Sequence, residues 1–188
     1  MNTIDSMRRR EGFAFLAAFA ACVPAANWLI QNIGTFCVPN GPCLIPVGPG
    51  LTAPSGVLLV GIALVLRDLV QRRLGVWPAV GAIAVGGLLS AIFAPHALVI
   101  ASVAAFLLSE FADMAVFTPL QKRGLVRAAV ASSLAGLVVD SIVFLWLAFG
   151  DLQFLAGQVV GKALMVLLAI PALAWLRKRD ARLGLLPA

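Results

Sequence analysis

The stretch 97-ALVIASVAAFLLSEFADMAVFT-118 decides how this chain reads. As a helix it is long enough to cross a hydrocarbon layer about 30 Å thick, yet it holds two acids, Glu110 and Asp113, three residues apart on one face. Comparable apolar runs lie on either side of it, at 12–33, 54–71, 77–94, 126–149 and 153–176. The composition agrees. The chain is 62% hydrophobic and 12% charged, whereas soluble domains run near half apolar and a quarter charged. Six helices of about 20 residues would occupy about 120 positions. The fold class expected is therefore all-α: a polytopic membrane protein, a bundle of six transmembrane helices forming one integral membrane domain over 1–188. Nothing is left over for a soluble module, so an energy-converting ATPase would have to be a separate chain.

The net charge of +6 does not point to nucleic acid, because the basic residues stand in short clusters between apolar runs instead of on one face of a folded domain. Arg8, Arg9 and Arg10 precede the first run, Arg72 and Arg73 follow the second, Lys122, Arg123 and Arg127 follow the fourth, and Arg177, Lys178, Arg179 and Arg182 follow the sixth. The connections at 34–53, 95–96 and 150–152 carry no Lys or Arg. The positive-inside rule then puts both termini in the cytoplasm. The charge-free stretch from Gly12 to Ile33 is too long for the h-region of a cleaved signal, so the first run is expected to stay as a span.

The first outer connection carries Pro39, Pro42, Pro46, Pro49 and Pro54 among several glycines, a composition that excludes a regular helix and suggests a structured loop or lid. Cys37 and Cys43 flank a Pro-Asn-Gly-Pro turn there, either bridged or as two free thiols. Cys22, inside the first run, reads as a packing residue. The single histidine, His96, falls at a membrane edge, so a His-based metal site or a Ser/His/Asp triad is not expected, and no cofactor or metal is called for.

Ionisable residues inside apolar runs cost a few kcal/mol each at a bilayer centre and are retained where they face a cavity or a partner. Six qualify: Arg67, Asp68, Glu110, Asp113, Asp140 and Lys162. Arg67 and Asp68 adjoin the inner end of the second run, where snorkelling to the interface is the ordinary alternative. Phe106, Glu110, Asp113 and Phe117 fall at i, i+4, i+7 and i+11, an aromatic–acid–acid–aromatic stripe suited to a flat ring. Ser133, Gly136, Asp140 and Phe144 form a similar stripe. Gln158 and Lys162 stand four apart, as do Asn27 and Gln31, whose ordinary use is to bond helix to helix. Four carboxylates against two bases leave two negative charges in excess, which favours protonated acids or a ligand rich in hydrogen-bond donors. Gly157-Gln-Val-Val-Gly161-Lys162-Ala163 imitates a phosphate-binding loop, but it is one residue short, lacks the Ser/Thr and lies within a span; it reads as a close helix-packing pair that lets Lys162 reach the interior.

Ser109-Glu110-Phe-Ala-Asp113 followed by Val116-Phe117-Thr118-Pro-Leu resembles the signature of the queuosine-precursor transporter family, also called the vitamin uptake transporter family. Pro54-Ser-Gly56 leading to Arg67-Asp68-Leu-Val-Gln71, then Asp140-Ser141-Ile-Val-Phe144, and Gln158 to Lys162 with Pro171 are similar to that family in order and spacing. The resemblance spans about 12–178. It implies a multi-pass importer of 7-deazaguanine bases in the bacterial inner membrane, shaped like the substrate-binding subunits of energy-coupling-factor transporters. One carboxylate can accept from the adjacent N–H and amino group of a guanine-like edge. Glu110 or Asp113 would supply it, Asp140, Lys162 and Gln158 would complete the contacts, and Phe106, Phe117 or Trp146 would stack; with no Tyr in the chain, no phenol takes part.

The competing reading is a vitamin-binding subunit that works with a separate ATP-driven module, docked on the small-residue face formed by the Ala14/Ala18, Ala17/Ala21 and Ala21/Ala25 pairs. An intramembrane enzyme is disfavoured, since no Asp-rich metal repeat, nucleophile elbow or zinc motif is present. The partners expected are thus a small molecule and the lipid bilayer, with an energising subunit or a second copy left open.

Overall fold

The computed structural model describes residues 3–39 and 41–185. Six long helices follow in chain order: α1 (Thr3–Asn32), α2 (Val57–Leu74), α3 (Val76–Phe93), α4 (Val99–Leu120), α5 (Leu125–Phe149) and α6 (Leu155–Leu183). Between α1 and α2 lie three short strands, β1 (Phe36–Cys37), β2 (Cys43–Gly48) and β3 (Leu51–Pro54). Five helical stretches are long and apolar enough to cross a membrane, in α1, α3, α4, α5 and α6. They turn much of their apolar surface outward: Ile100 is 79% exposed and Leu168 70%, with Trp77, Leu88 and Trp146 also on the outside. A water-soluble bundle would bury such side chains; a bilayer solvates them. The chain is therefore a helical membrane bundle.

α2 is as long as α3 but carries Arg67, Asp68, Arg72 and Arg73, so its composition falls short of a membrane-crossing segment. Its position explains this. α2 packs against α1, α3, α4, α5 and α6, and its second half is buried continuously from Arg67 to Arg73. Its charges meet protein instead of lipid, which removes most of the cost that an isolated charge would carry. Arg67 and Asp68 do not snorkel; both are fully buried.

The proline-rich connection is a small antiparallel sheet in the order β1-β2-β3, laid over the ends of α1 and α6. Cys37 and Cys43 are cross-strand partners and form a disulfide. β1 pairs with only Cys43 and Leu44 of β2, so Pro46 stands where β2 has a single neighbour and the missing N–H costs least. The hydroxyl of Ser55 donates to Leu29 O at 2.8 Å and pins the start of α2 to the end of α1. Gly157 and Gly161 do permit a close approach, but to this sheet and the start of α2, not to another helix midsection. Gly157 abuts the backbone of Thr52, and Gly161 faces Val57 and Val47. Any side chain at Gly157 would drive β3 away from α6.

At the opposite end of the bundle, ion pairs join α1, α2 and α6. Arg73 donates to both oxygens of Asp180, at 2.9 and 2.7 Å, and to Glu11 at 2.8 Å, while Arg72 reaches Asp180 at 3.2 Å and Arg179 reaches Glu11 at 2.5 Å. Arg72 and Arg73 are therefore not loop charges, as their place after an apolar run suggested, but buried residues of the last turn of α2. Lys122, Arg123 and Arg127, by contrast, are exposed.

Candidate functional site

The six ionisable residues of the apolar runs gather in the bundle interior as two adjoining clusters. The first is built on Arg67 of α2. Its Nε donates to Glu110 Oε2 at 3.2 Å, Nη1 donates to Gln71 at 2.8 Å, and Nη2 donates to Asp113 Oδ1 and lies 2.7 Å from Asp68 Oδ1. Ser132 of α5 donates to Asp68 Oδ2 at 2.8 Å, and the Gln71 amide donates to Thr118, whose own hydroxyl donates to the carbonyl of Met114. Phe117 lies under the guanidinium, 5.7 Å from ring centre to Cζ, a cation–π contact.

The second cluster is built on Lys162 of α6. Its ammonium donates to Asp140 and to Gln158, each at 2.5 Å, and to Ser141 at 2.9 Å, which uses all three of its protons. Gly61 of α2 lets α6 approach at this level: a Cβ there would lie 2.7 Å from the carbonyl oxygen of Lys162. Lys162 thus balances Asp140, and the two negative charges in excess all fall on the Arg67 cluster, where one guanidinium faces three carboxylates.

A cavity of about 90 Å³ lies between these clusters and the sheet. Glu110 and Ser109 of α4, Asp140 and Phe144 of α5, and Gln158 and Lys162 of α6 line it, with Asn27 of α1, Ser90 of α3 and Phe106 of α4. That volume admits several water molecules but is well below the roughly 300 Å³ at which drug-sized pockets begin, so a ring-sized ligand would fit only if side chains moved aside. Phe106 is one wall. Its ring is wedged against Gly86 and sits 6.0 Å from the ring of Phe19.

The residues singled out from sequence divide by depth. Glu110, Asp140, Gln158, Lys162, Asn27 and Phe106 line the cavity, whereas Asp113, Arg67, Asp68 and Phe117 lie behind it and touch it only through Glu110. Asn27 spends its amide on the carbonyl of Val23. Trp146 is 62% exposed and faces away from the cavity. Sequence reasoning chose Ser133 on α5, but its neighbour Ser132 makes the contact to Asp68, and the Ser133 hydroxyl has no partner among the described residues. Gln71 was also missed, although its spacing of four from Arg67 is the signal that could have found it. Among the described residues no group of His, Cys, Asp and Glu is arranged to hold a metal ion.

Residues 87–176 match a protein family described as "Putative vitamin uptake transporter". The match covers just under half of the chain and is a likeness to that family over this segment. The matched segment runs from the second half of α3 into α6 and carries Glu110, Asp140 and Lys162, the charged residues of the cavity, together with Gln158 and, behind the cavity, Asp113. Arg67 and Asp68 on the central helix lie outside it, as do Asn27 and the sheet. Comparison with curated proteins and with solved structures gives no match. The apolar exterior describes a multi-pass membrane protein, and the matched segment is similar to a transporter family.

Proposed function

We propose that this chain imports queuosine precursors, 7-deazaguanine bases, across a bacterial inner membrane, with six spans, α2 at their centre, and both termini in the cytoplasm. The observation that carries this reading is Glu110. Its carboxylate lines the cavity while its other contact, Arg67, holds it from behind, so it is fixed in place and has acceptor capacity left for a ligand. The N–H and amino group of a guanine-like edge would donate to it together, and the amide nitrogen of Gln158, whose oxygen accepts from Lys162, would donate to a carbonyl or nitrile of the base. Phe106 and Phe144 supply ring surfaces on the cavity wall. Asp113, Arg67 and Asp68 act behind Glu110 in this reading, and Phe117 supports Arg67 instead of stacking on substrate.

Discrimination follows from cost. A base lacking those donors leaves a buried carboxylate unpaired, and sites that hydrogen-bond a ligand reject such analogues strongly. The test is the queuosine content of transfer RNA in cells that cannot make the precursor, supplied with it externally and expressing this chain. Wild type should restore queuosine, and Glu110→Gln, which replaces an acceptor-only group by an amide of the same size, should not. Failure of the wild type would sink the substrate assignment, whereas success of both proteins would spare the substrate and remove Glu110 from its recognition.

The second reading, a binding subunit energised by a separate ATPase, is favoured by one observation. Ala14, Ala17, Ala18 and Ala21 of α1 are exposed, so the small-residue face is left uncovered by this chain. A tagged pull-down from native membranes that brings down an ATPase module would support it.

A further inference from the structure

Asp113 is fully enclosed, and its Oδ2 has no hydrogen-bond partner among the described residues, although its Oδ1 accepts from Arg67 Nη2. The same nitrogen lies 2.7 Å from Asp68 Oδ1, which also lacks a properly directed hydrogen bond. Two carboxyls, one from α2 and one from α4, therefore meet at a single nitrogen where neither side chain is exposed at all. The charged groups around them are few. α2 contributes Arg67, α4 contributes Glu110, α5 contributes Asp140 together with the hydroxyl of Ser132, and α6 contributes Lys162, which is occupied by Asp140, Gln158 and Ser141. One guanidinium is left for three carboxylates. Two close carboxylates sharing so little compensation favour holding one proton between them, and the cavity, which touches Glu110 alone of the three, brings them no water.

We propose that Asp68 and Asp113 together bind one proton, and that this proton is the coupling ion of transport, linked to the cavity through Arg67 and Glu110. A metal cation fits poorly, since it needs several oxygen ligands and would have to share the site with the guanidinium of Arg67. A proton needs only the free oxygen. It is taken from solvent on the side from which substrate enters, resides as an O–H between the two carboxyls, and leaves to solvent on the other side; no bond other than O–H forms or breaks. The link to substrate is the charge state of Glu110. With the proton on the Asp68/Asp113 pair, Arg67 compensates Glu110, which remains an acceptor-only carboxylate matched to ligand N–H groups. Without it, the two ionised carboxylates draw the guanidinium to themselves, and Glu110 loses the Arg67 contact that fixes it for the ligand. Proton and substrate thus favour each other, which is the condition for symport.

This inference rests on the transport reading above, so its test has one arm that needs no substrate. Infrared spectroscopy of the purified protein at neutral pH should show the carbonyl stretch of a protonated carboxyl, shifted in heavy water, kept in Glu110→Gln and Asp140→Asn, and lost in Asp113→Asn. Ser132→Ala, which removes only the hydroxyl donated to Asp68, should move that band without abolishing it, and serves if Asp113→Asn does not fold. In proteoliposomes with a trapped pH indicator, uptake of 7-aminomethyl-7-deazaguanine should acidify the lumen. Absence of the band in wild type, or its loss only in Glu110→Gln, overturns the proton site. Uptake without acidification overturns the coupling. A band without any uptake leaves the proton site standing and refutes the substrate.

Discussion

Removing Lys162 tests the interior electrostatics most directly, because its partner is so clearly defined. Lys162→Met keeps the length and apolar bulk of the side chain but leaves Asp140 without its 2.5 Å partner, and Gln158 and Ser141 without their donor. Breaking a buried ion pair from one side costs about 3–5 kcal/mol, because a charge is left uncompensated. The side chain of Asp140 is 12% exposed toward the cavity, so some water reaches it, and the lower end, about 3 kcal/mol, is expected. For a chain of this length each kcal/mol moves the melting temperature by about 2–4 °C, which gives a drop of about 6–12 °C. The double variant Lys162→Met with Asp140→Leu removes both charges and should recover most of the loss, since apolar replacement of a whole buried pair is often neutral. Thermal unfolding of wild type, both single variants and the double variant in one detergent completes the cycle. A Lys162→Met protein as stable as wild type, or a double variant no better than Lys162→Met, would refute the pairing.

Gly136→Ala places a Cβ 2.9 Å from Leu64 and 3.1 Å from the Cβ of Asp113, where α5 closes on α2 and α4; overpacking there should cost about 1–3 kcal/mol, read as a lower melting temperature. A fully tolerated alanine would mean that α5 does not pack so closely on the Arg67 cluster. Mass spectrometry of peptides from the non-reduced protein should find Cys37 joined to Cys43, with Cys22 as the alkylatable thiol; two further alkylated cysteines would remove the disulfide from the sheet. For the proposed orientation, a single cysteine at position 122, in a background lacking the native three, should be labelled by an impermeant reagent only from the cytoplasmic side. Labelling from outside would invert the topology.

Periodicity and length gave the helices because a membrane-length apolar run has few other solutions. The run at 97–118 becomes α4 at Val99–Leu120, and that at 126–149 becomes α5 at Leu125–Phe149. The sequence also marked the ionisable residues of the interior, since apolar surroundings make every charge conspicuous. It misread the start of α1, which runs back through Arg8–Arg10 to Thr3, because charges forbid a membrane span but not a helix that continues beyond one. Nor did it show the small sheet, whose strands of two to six residues are interrupted by prolines and are held by cross-strand pairing instead of by any local pattern.

What the chain by itself determined, then, was its solvent, its helices and the list of buried charges; which base meets which acid was decided by the tertiary structure alone. Arg67 could as readily have reached the interface, and only the five helices packed around α2 bring it instead to Glu110, Asp68 and Asp113, while Lys162 is taken by Asp140. Arg73 looked like a loop charge until α6 folded back to set Asp180 against it. The physical reason is the same in each case: apolarity and periodicity belong to a segment, but the pairing of charges depends on distances between segments, and those exist only once the helices have packed.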